Sequence, residues 1–243
     1  MRIAQILFSQ GFGSRRECAA LLAQGQVQVA GLTVTEAEAD FDTGLGTGSL
    51  VVTVAGRPWP CHSRALLLLH KPAACECSRQ PQHHPSVLSL LPPPLRQRGV
   101  QPVGRLDQDT TGVLLLTDNG TLIHRLTAPK HHVEKVYEVG TRHPVDQTQV
   151  AALLAGVLLH DDATPARAVA CKISGECSLQ LTLTEGRYHQ VKRMLAAVGN
   201  RVESLHRSAF GPWSLPPGLA PGQWCWLDAS AALLACQAPA RCA

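Results

Sequence analysis

The sequence predicts an α+β protein with a small N-terminal domain and a larger second domain. Apolar, strand-like runs are interleaved with segments of helical periodicity along the 243 residues. Several of the runs alternate apolar and polar side chains, which indicates a mixed or antiparallel sheet flanked by helices. Residues 55–63 hold two prolines and a glycine and are predicted to be a linker. We therefore expect domains at residues 1–58 and 64–235.

The N-terminal domain is predicted to contain a helix followed by a hairpin. Ser14 and Glu17 have the Ser-x-x-Glu spacing of a capping box, and Gly25 marks the end of the helix. Residues 27–34 alternate, turn at Ala-Gly and return, which is typical of a hairpin. A further strand is expected at residues 50–54.

The larger domain is predicted from apolar runs and helical stripes. Residues 85–94 are proline-rich with leucines between, which indicates a loop that packs against the core. The tail from Cys236 is rich in alanine and proline, and we expect it to be frayed. The predicted strands are residues 65–69, 113–116, 135–139 and 179–183, and the predicted helices are 122–126, 147–157 and a segment after 186.

Two acidic residues lie in a glycine turn just before the most apolar strand. The stretch 104–120 reads GRLDQDTTGVLLLTDNG, with Asp107 and Asp109 in the turn. A buried strand holds its loop rigidly, so a carboxylate there is well placed for chemistry, although a single aspartate in a turn is more often a cap. Residues at i and i+2 rarely keep the separation that a paired-acid mechanism needs, which favours one catalytic acid.

A basic cluster lies around the start of the predicted helix after residue 186. The helix has an apolar stripe at i, i+4 and i+7 from Val191, and His189, Lys192 and Arg193 are predicted to share another face. Cations near a helix N-terminus oppose the helix dipole. The cluster, which includes Arg187, therefore indicates an anionic ligand, against the alternative of a solvated basic face.

Composition narrows the possible partners. The net charge is +4, with −1 over residues 1–60 and +5 over the remainder, which is compatible with a polyanion but does not by itself indicate nucleic acid. No apolar run of about 18 residues occurs, and the N-terminus does not resemble a signal peptide, so we expect a cytoplasmic protein without a membrane span. The nine cysteines include no Cys-x-x-Cys pair, and the histidine doublets lack metal-ligand spacing. We expect reduced thiols and no metal.

Three ordered motifs resemble those of the RsuA-type pseudouridine synthases. They are GRLD at 104–107, KVY at 135–137 and EGRYHQVKR at 185–193. The N-terminal segment is similar to S4-type RNA-binding domains, although it has Arg-Ile-Ala-Gln where these often have Arg-Leu-Asp-Lys. A further departure is Ala74, which stands where the family tends to have glycine after the Lys-Pro turn.

The resemblance implies roles for individual residues. Asp107 would be the catalytic aspartate, Tyr137 would stack on the target base, Lys192 would pair with the aspartate, and Arg105 would help to turn the base out of the RNA. The predicted RNA-binding residues are Arg105, Arg187, His189, Gln190, Arg193, and the two helix-terminal arginines Arg15 and Arg16.

The implied reaction breaks the C1′–N1 bond of a uridine, rotates the base and rejoins it through C5. It needs no redox change and hence no cofactor, and one carboxylate suffices, as nucleophile or as base. Residues 129–132 and 188–193 are more similar to the small-subunit enzymes. We therefore expect a monomer that acts on one uridine of 16S ribosomal RNA, of the uridine-516 type, in a small-subunit assembly intermediate.

Alternatives from other classes remain. A synthase for 23S ribosomal RNA would carry the same motifs. A non-catalytic ribosomal RNA-binding or ribosome-assembly protein would need the basic residues but not Asp107. An RNA methyltransferase would need a glycine-rich nucleotide turn, and the sequence has no Gly-x-Gly-x-x-Gly.

Overall fold

The computed structural model describes residues 1–42 and 50–227, which form two sheets with flanking helices. The predicted α+β class is confirmed, including the mixed sheet of the larger domain. The predicted frayed tail from Cys236 lies outside the described residues. No helix within the described residues is long and apolar enough to span a membrane.

The N-terminal domain packs two helices on a four-stranded sheet. The capping box is confirmed, because Ser14 Oγ accepts the Glu17 amide at 3.3 Å and Glu17 Oε2 accepts the Ser14 amide at 2.7 Å. The first helix, which was not predicted from the sequence, buries side chains at i, i+3, i+4 and i+7 from Ile3. The elements are α1 (Ile3–Gln10), α2 (Arg15–Ala23), β1 (Val27–Val29), β2 (Leu32–Thr33), β3 (Val51–Val54) and β4 (Arg57–Pro60), with sheet order β2-β1-β3-β4.

The predicted linker at residues 55–63 is wrong, because residues 57–60 form a strand of the N-terminal sheet. Strand β4 pairs with β3 and crosses the predicted boundary at residue 58. Its prolines, Pro58 and Pro60, are tolerated because β4 is an edge strand, where a missing N–H costs no ladder bond on the open side. Trp59 is buried and lies edge-to-face against Trp226 of the larger domain, at 5.7 Å between ring centroids.

A buried polar cluster fixes the N-terminal domain against the larger one. Arg98 Nη2 lies 2.7 Å from Asp118 Oδ2, with both side chains less than a tenth exposed. The same guanidinium donates to Gln10 Oε1 at 2.7 Å, and Gln10 Nε2 donates to the His62 carbonyl at 3.1 Å. A buried ion pair with one partner removed is costly, so the two domains are coupled through this cluster.

The larger domain is built on a nine-stranded mixed sheet. The main order is β13-β5-β7-β11-β8-β10-β9, with β6 and β12 attached to β7 and β11. Among the strand pairs of the described residues, β7 and β11 alone are parallel. The strands are β5 (Leu66–Lys71), β6 (Gln101–Pro102), β7 (Thr111–Thr117), β8 (Lys135–Thr141), β9 (Ala170–Gly175), β10 (Ser178–Leu183), β11 (Val202–Phe210), β12 (Trp213–Ser214) and β13 (Trp224–Trp226), and the helices are α3 (Pro93–Gln97), α4 (Gly120–Thr127), α5 (Gln147–Ala155) and α6 (Gln190–Ala197).

One close backbone contact positions the acidic loop, which is the turn before β7 that carries Asp107 and Asp109. Gly112, at the start of β7, has φ +109°, and a Cβ there would lie 2.2 Å from the Arg207 carbonyl oxygen of β11. Only glycine permits this approach. It brings the loop before β7 next to β11, the central strand that the sequence analysis did not predict.

Candidate active site

A cleft of about 820 Å³ lies beside the acidic loop. Its floor comes from β8, β10 and β11, and its walls come from the loops before β7 and α6. The side chains that line it include those of Glu76, Cys77, Arg105, Asp107, Asp109, Lys135, Tyr137, Leu183, Arg187, Tyr188, His189, Lys192, Leu205, Arg207 and Phe210. Residues from all three sequence motifs therefore meet at one cleft.

Asp107 lies between two basic side chains. Lys192 Nζ is 3.4 Å from Asp107 Oδ2, and His189 Nε2 is 3.4 Å from Asp107 Oδ1. Lys192 approaches Asp109 more closely, at 2.7 and 2.8 Å from its two oxygens. The carboxylate of Asp107 is about one quarter exposed, whereas that of Asp109 is mostly exposed. Lys192 thus bridges both acids, and the expected pair with Asp107 is the longer of its two contacts.

Lys192 keeps its positive charge in this arrangement. Burial alone disfavours the ammonium, but the hydrogen bond to Asp109 and the charges of both aspartates outweigh burial and raise the pKa of Lys192. For Asp109, burial opposes ionisation, but the hydrogen bond and charge of Lys192 prevail and lower its pKa. The site therefore holds one permanent cation next to two carboxylates.

The acidic loop is held from below by Lys71. The side chain is fully buried, and its Nζ donates to the carbonyls of Pro72, Gln108 and Thr110 at 2.9–3.2 Å. Burial is the main cause that lowers the pKa of Lys71. Because two of the acceptors flank Asp109, this ammonium fixes the backbone on which both acids stand.

The turn after Lys71 keeps a left-handed residue without glycine. Ala74, the departure noted from the family pattern, has φ +57°. This conformation costs a residue with a Cβ about 1–2 kcal/mol. The turn is therefore retained at the expense of local strain.

Replacing Ala74 by glycine should relieve this strain. We expect Ala74→Gly to raise the free energy of unfolding by about 0.5–1 kcal/mol, since the gain is partly offset by the greater freedom of glycine in the unfolded chain. Urea unfolding of the full chain measures the change. The neighbouring exposed Ala73 is the matched control, and Ala73→Gly should destabilise. Equal effects of the two substitutions would contradict the strain.

Tyr137 and Arg105 lie at different depths of the cleft. Tyr137, on β8, is buried and lines the cleft together with Lys135 and Leu183. Arg105 is exposed at the mouth, two residues before Asp107. An aromatic ring inside and an arginine outside would suit a base that enters the cleft from an RNA strand.

Three of the predicted RNA-binding residues have partners within the protein. Arg187 Nη2 lies 3.1 Å from Glu185 Oε2, and Arg193 Nη2 lies 3.2 Å from Asp162 Oδ2. Gln190 is buried and donates to Glu185 Oε1 at 2.7 Å. These side chains support the wall of the cleft. The negative charge that the basic cluster predicted is therefore supplied largely by protein carboxylates.

The N-terminus of α6 differs from the predicted helical face. His189 precedes the helix as its N-cap residue, with φ +48°, and its ring stacks on Tyr188 at 3.9 Å between centroids. Tyr188 is 75% exposed at the rim of the cleft, and the sequence analysis gave it no role. An exposed aromatic ring that lines the cleft is a surface on which a nucleobase can stack.

Arg15 and Arg16 lie away from the cleft, at the start of α2. Both are exposed, and the Arg15 guanidinium is 5.6 Å from the centroid of the half-exposed Phe8 ring. They form a separate, positively charged patch on the N-terminal domain.

A further acid of the cleft, Glu76, was not predicted from the sequence and supports one of its walls. The Glu76 carboxylate accepts the backbone amides of Gln82, His83 and His84 at 2.8–3.0 Å, which closes the loop between them. These hydrogen bonds, led by that of His83, lower the pKa of Glu76 from 4.5 to about 2. A carboxylate followed by a polar loop is too common a pattern to have shown this.

The Glu76 contacts should make the loop sensitive to acid. Because folding lowers this pKa, the carboxylate stabilises the protein above about pH 4.5, and the effect is lost as the pH falls towards 2. Glu76→Gln should therefore destabilise at neutral pH, with the difference from wild type shrinking in acid. Urea unfolding at pH 7 and pH 3 tests this, with the exposed Glu203→Gln as control. A difference that is equal at both pH values would contradict it.

Two further cations lie on the floor of the cleft. Arg207 of β11 is 2% exposed and Lys135 of β8 is 8% exposed, and both border the Phe210 ring. Burial, with repulsion from Arg207 as a smaller cause, lowers the pKa of Lys135 to about 8. Residues of this type are usually exposed, so the sequence offered no signal for them. No cluster of metal-ligand side chains occurs in the described part of the chain.

Comparison with known proteins identifies the family. The family described as RNA pseudouridylate synthase matches residues 65–197, and the S4 domain matches residues 1–42. An RNA pseudouridine synthase of Bacillus subtilis, YtzG, is 37% identical over 227 residues, covering 92% of this chain and 93% of the relative. The chain belongs to the RNA pseudouridylate synthase family. It is thus an RNA pseudouridine synthase with an N-terminal S4 domain.

Further comparisons place the synthase within the RsuA type. The ribosomal small subunit pseudouridine synthase A of Salmonella typhimurium is 42% identical over 163 residues, covering 67% of this chain and 70% of the relative. The Escherichia coli protein of the same name is 41% identical over the same length, with the same coverage. A crystal structure of a pseudouridylate synthase superposes with a TM-score of 0.67 at 31% identity, covering 97% of this chain and 99% of that one.

Proposed function

We propose that this synthase converts one uridine of 16S ribosomal RNA, at a site of the uridine-516 type, to pseudouridine within a small-subunit assembly intermediate. It acts as a monomer in the cytoplasm, without metal or cofactor. The observation that carries the proposal is the convergence of Asp107, Lys192 and Tyr137 on one cleft. In this proposal the N-terminal residues 1–58 bind RNA and residues 64–235 carry out the reaction.

The proposed reaction uses Asp107 at the ribose and Tyr137 at the base. The uridine leaves its stack, at a cost of roughly a few kcal/mol, and Arg105, which is exposed at the mouth, helps to turn it out. Stacking on Tyr137 returns about 1–3 kcal/mol. The C1′–N1 bond breaks with its electron pair left on the uracil, the base turns, C5 bonds to C1′, and the C5 proton is replaced by one on N1. Asp107 acts as nucleophile or base, and Lys192, 3.4 Å away, places a positive charge next to its carboxylate.

The substrate proposal rests on the relatives and on charge. The relatives from Salmonella typhimurium and Escherichia coli are named as small-subunit synthases. The net charge of +5 after residue 60 supplies only modest affinity for any RNA, irrespective of its sequence. Specificity must then come from RNA shape and one splayed-out base, which a partly folded ribosomal particle presents.

Nucleotide-resolution mapping tests this substrate. The protein is incubated separately with 16S transcript, small-subunit assembly intermediates and 23S transcript, and pseudouridine is then located in each. We expect one site in 16S RNA, modified fastest in the intermediates. Modification confined to 23S RNA would show that the substrate is 23S and not 16S RNA, while the proposed reaction would remain. No modification of any RNA would favour a protein that binds ribosomal RNA without catalysis.

The S4 domain should contribute binding through its two helix-terminal arginines. Replacing both Arg15 and Arg16 by alanine should weaken binding to the RNA substrate and reduce the salt dependence of log Kd by about 1 per lost phosphate contact. The rate of conversion of bound RNA should not change. Filter binding across a salt series and single-turnover rates separate the two effects. The exposed Arg57→Ala on β4 is the control, and an equal loss there would remove the assignment.

A further inference from the structure

The floor of the cleft carries positive charge that the described protein residues do not neutralise. Arg207 Nε donates to the Val113 carbonyl at 2.8 Å, and its Nη2 is buried without a hydrogen-bond partner among the described residues. Lys135 Nζ donates to the Val133 and Thr184 carbonyls at 2.8 and 3.3 Å. Neither cation has a carboxylate within ion-pair distance in the described chain. Buried charges and donors of this kind are costly unless a ligand meets them.

The position of these cations relative to Tyr137 is fixed by strand register. Arg207 and Tyr137 are direct cross-strand partners of β11 and β8, so their side chains leave the same face of the sheet side by side. Lys135 precedes Tyr137 by two residues and therefore lies on the same face. A base stacked on the Tyr137 ring would present its edge to the guanidinium.

The depth of Arg207 decides which part of a nucleotide can reach it. A flipped nucleotide enters its pocket base first, and its phosphates stay near the backbone of the RNA at the mouth. Arg207 is only 2% exposed, at the floor below Asp107 and Tyr137. A uracil carbonyl oxygen is an acceptor that such a site fits, since guanidinium N–H groups donate and never accept.

We infer that Arg207, with Lys135 next to it, binds a carbonyl oxygen of the flipped uracil and stabilises the negative charge on the base during isomerisation. This inference rests on the proposed stacking of the target uracil on Tyr137. When the C1′–N1 bond breaks, the electron pair stays on the uracil, and the charge spreads to its carbonyl oxygens. The charge disappears when C5 bonds to C1′ and the C5 proton is exchanged for one on N1. Fixed cations in a desolvated site favour such a transient anion.

The Phe210 ring lowers the cost of burying the Arg207 and Lys135 cations in the protein without RNA. The Arg207 guanidinium carbon lies 5.0 Å and the Lys135 Nζ 5.6 Å from the centroid of this ring. Cation–π attraction offsets part of the cost of two buried charges. Donors remain available on the guanidinium, because its Nη2 has no hydrogen-bond partner among the described residues.

Sulfur substitution at the target base tests the contact. RNA is built with uridine, 2-thiouridine or 4-thiouridine at the nucleotide that mapping identifies, in whichever ribosomal RNA the wild type modifies. The test therefore stands even if the 16S assignment fails. Sulfur is a weaker hydrogen-bond acceptor than oxygen, so one of the two substitutions should slow the wild type in single turnover. If neither slows the wild type, the inference is overturned without reference to any variant.

The second part of the test is the Arg207→Gln variant. The glutamine amide can still donate to the Val113 carbonyl, so this structural hydrogen bond is kept. We expect this variant to turn over uridine-containing RNA roughly 10²-fold more slowly, with little change in RNA affinity. The sulfur substitution that slows the wild type should then have little further effect. Losses that multiply for both sulfur positions would show that Arg207 is only structural and would overturn the contact. Arg201→Gln, at an exposed arginine just before β11, is the control and should behave as wild type.

Discussion

Asp107→Asn should reduce isomerisation by more than about 10⁴-fold while leaving the fold and RNA binding intact, because an amide can serve neither as nucleophile nor as base. The side chain is about one quarter exposed and is held between Lys192 and His189, so its loss removes no core packing. Tritium release from RNA labelled at uridine C5 measures the reaction. Thermal unfolding and filter binding establish that the variant is folded and binds substrate.

Asp109→Asn is the internal control for this result. Asp109 is mostly exposed and carries the shorter contact to Lys192, at 2.7 Å. Its loss leaves Lys192 free to approach Asp107, so we expect substantial activity to remain. If Asp109→Asn were inactive and Asp107→Asn active, the two roles would have to be exchanged.

Lys192→Ala should lower turnover by about 10²–10³-fold, which is the cost of removing one fixed charge from a preorganised site. The Lys192 ammonium is shared by two carboxylates, and without it their mutual repulsion is no longer screened. The loss should fall on the rate of the bound complex and leave RNA affinity largely unchanged, because the fixed charge acts on the reacting groups. Single-turnover rates and filter binding separate the two effects.

Two further variants serve as controls for this experiment, Lys192→Arg and Lys130→Ala. The arginine variant keeps the charge and should recover part of the activity, although its planar group fits the two acids differently. Lys130 is exposed and does not line the cleft, so its loss should be neutral. A single-turnover rate for Lys192→Ala equal to that of the wild type would mean that Lys192 does not assist the reaction.

The elements that the sequence predicted well are those with strong local patterns. The apolar run of β7, the alternation of β8 and the capping box of α2 each fix their own conformation, and all are present. Strand β11 escaped prediction because residues 202–210 include many polar side chains, one of which, Arg207, is buried only because the strand is central. The prolines of β4 suggested a linker, whereas an edge strand accommodates them.

The sequence by itself predicted the acidic loop before β7 and, through its resemblance to a known family, the motif residues Asp107, Tyr137 and Lys192 and an N-terminal S4 domain. Short motifs carry these predictions, and each motif lies within a single segment. Only the tertiary structure decided which charges meet. It joined Lys192 to Asp109 as well as Asp107, and it fixed the two domains through buried contacts. It also left Arg207 on the cleft floor without a carboxylate partner among the described residues. Pairing and burial arise from strands distant in the chain, so composition and periodicity cannot specify them.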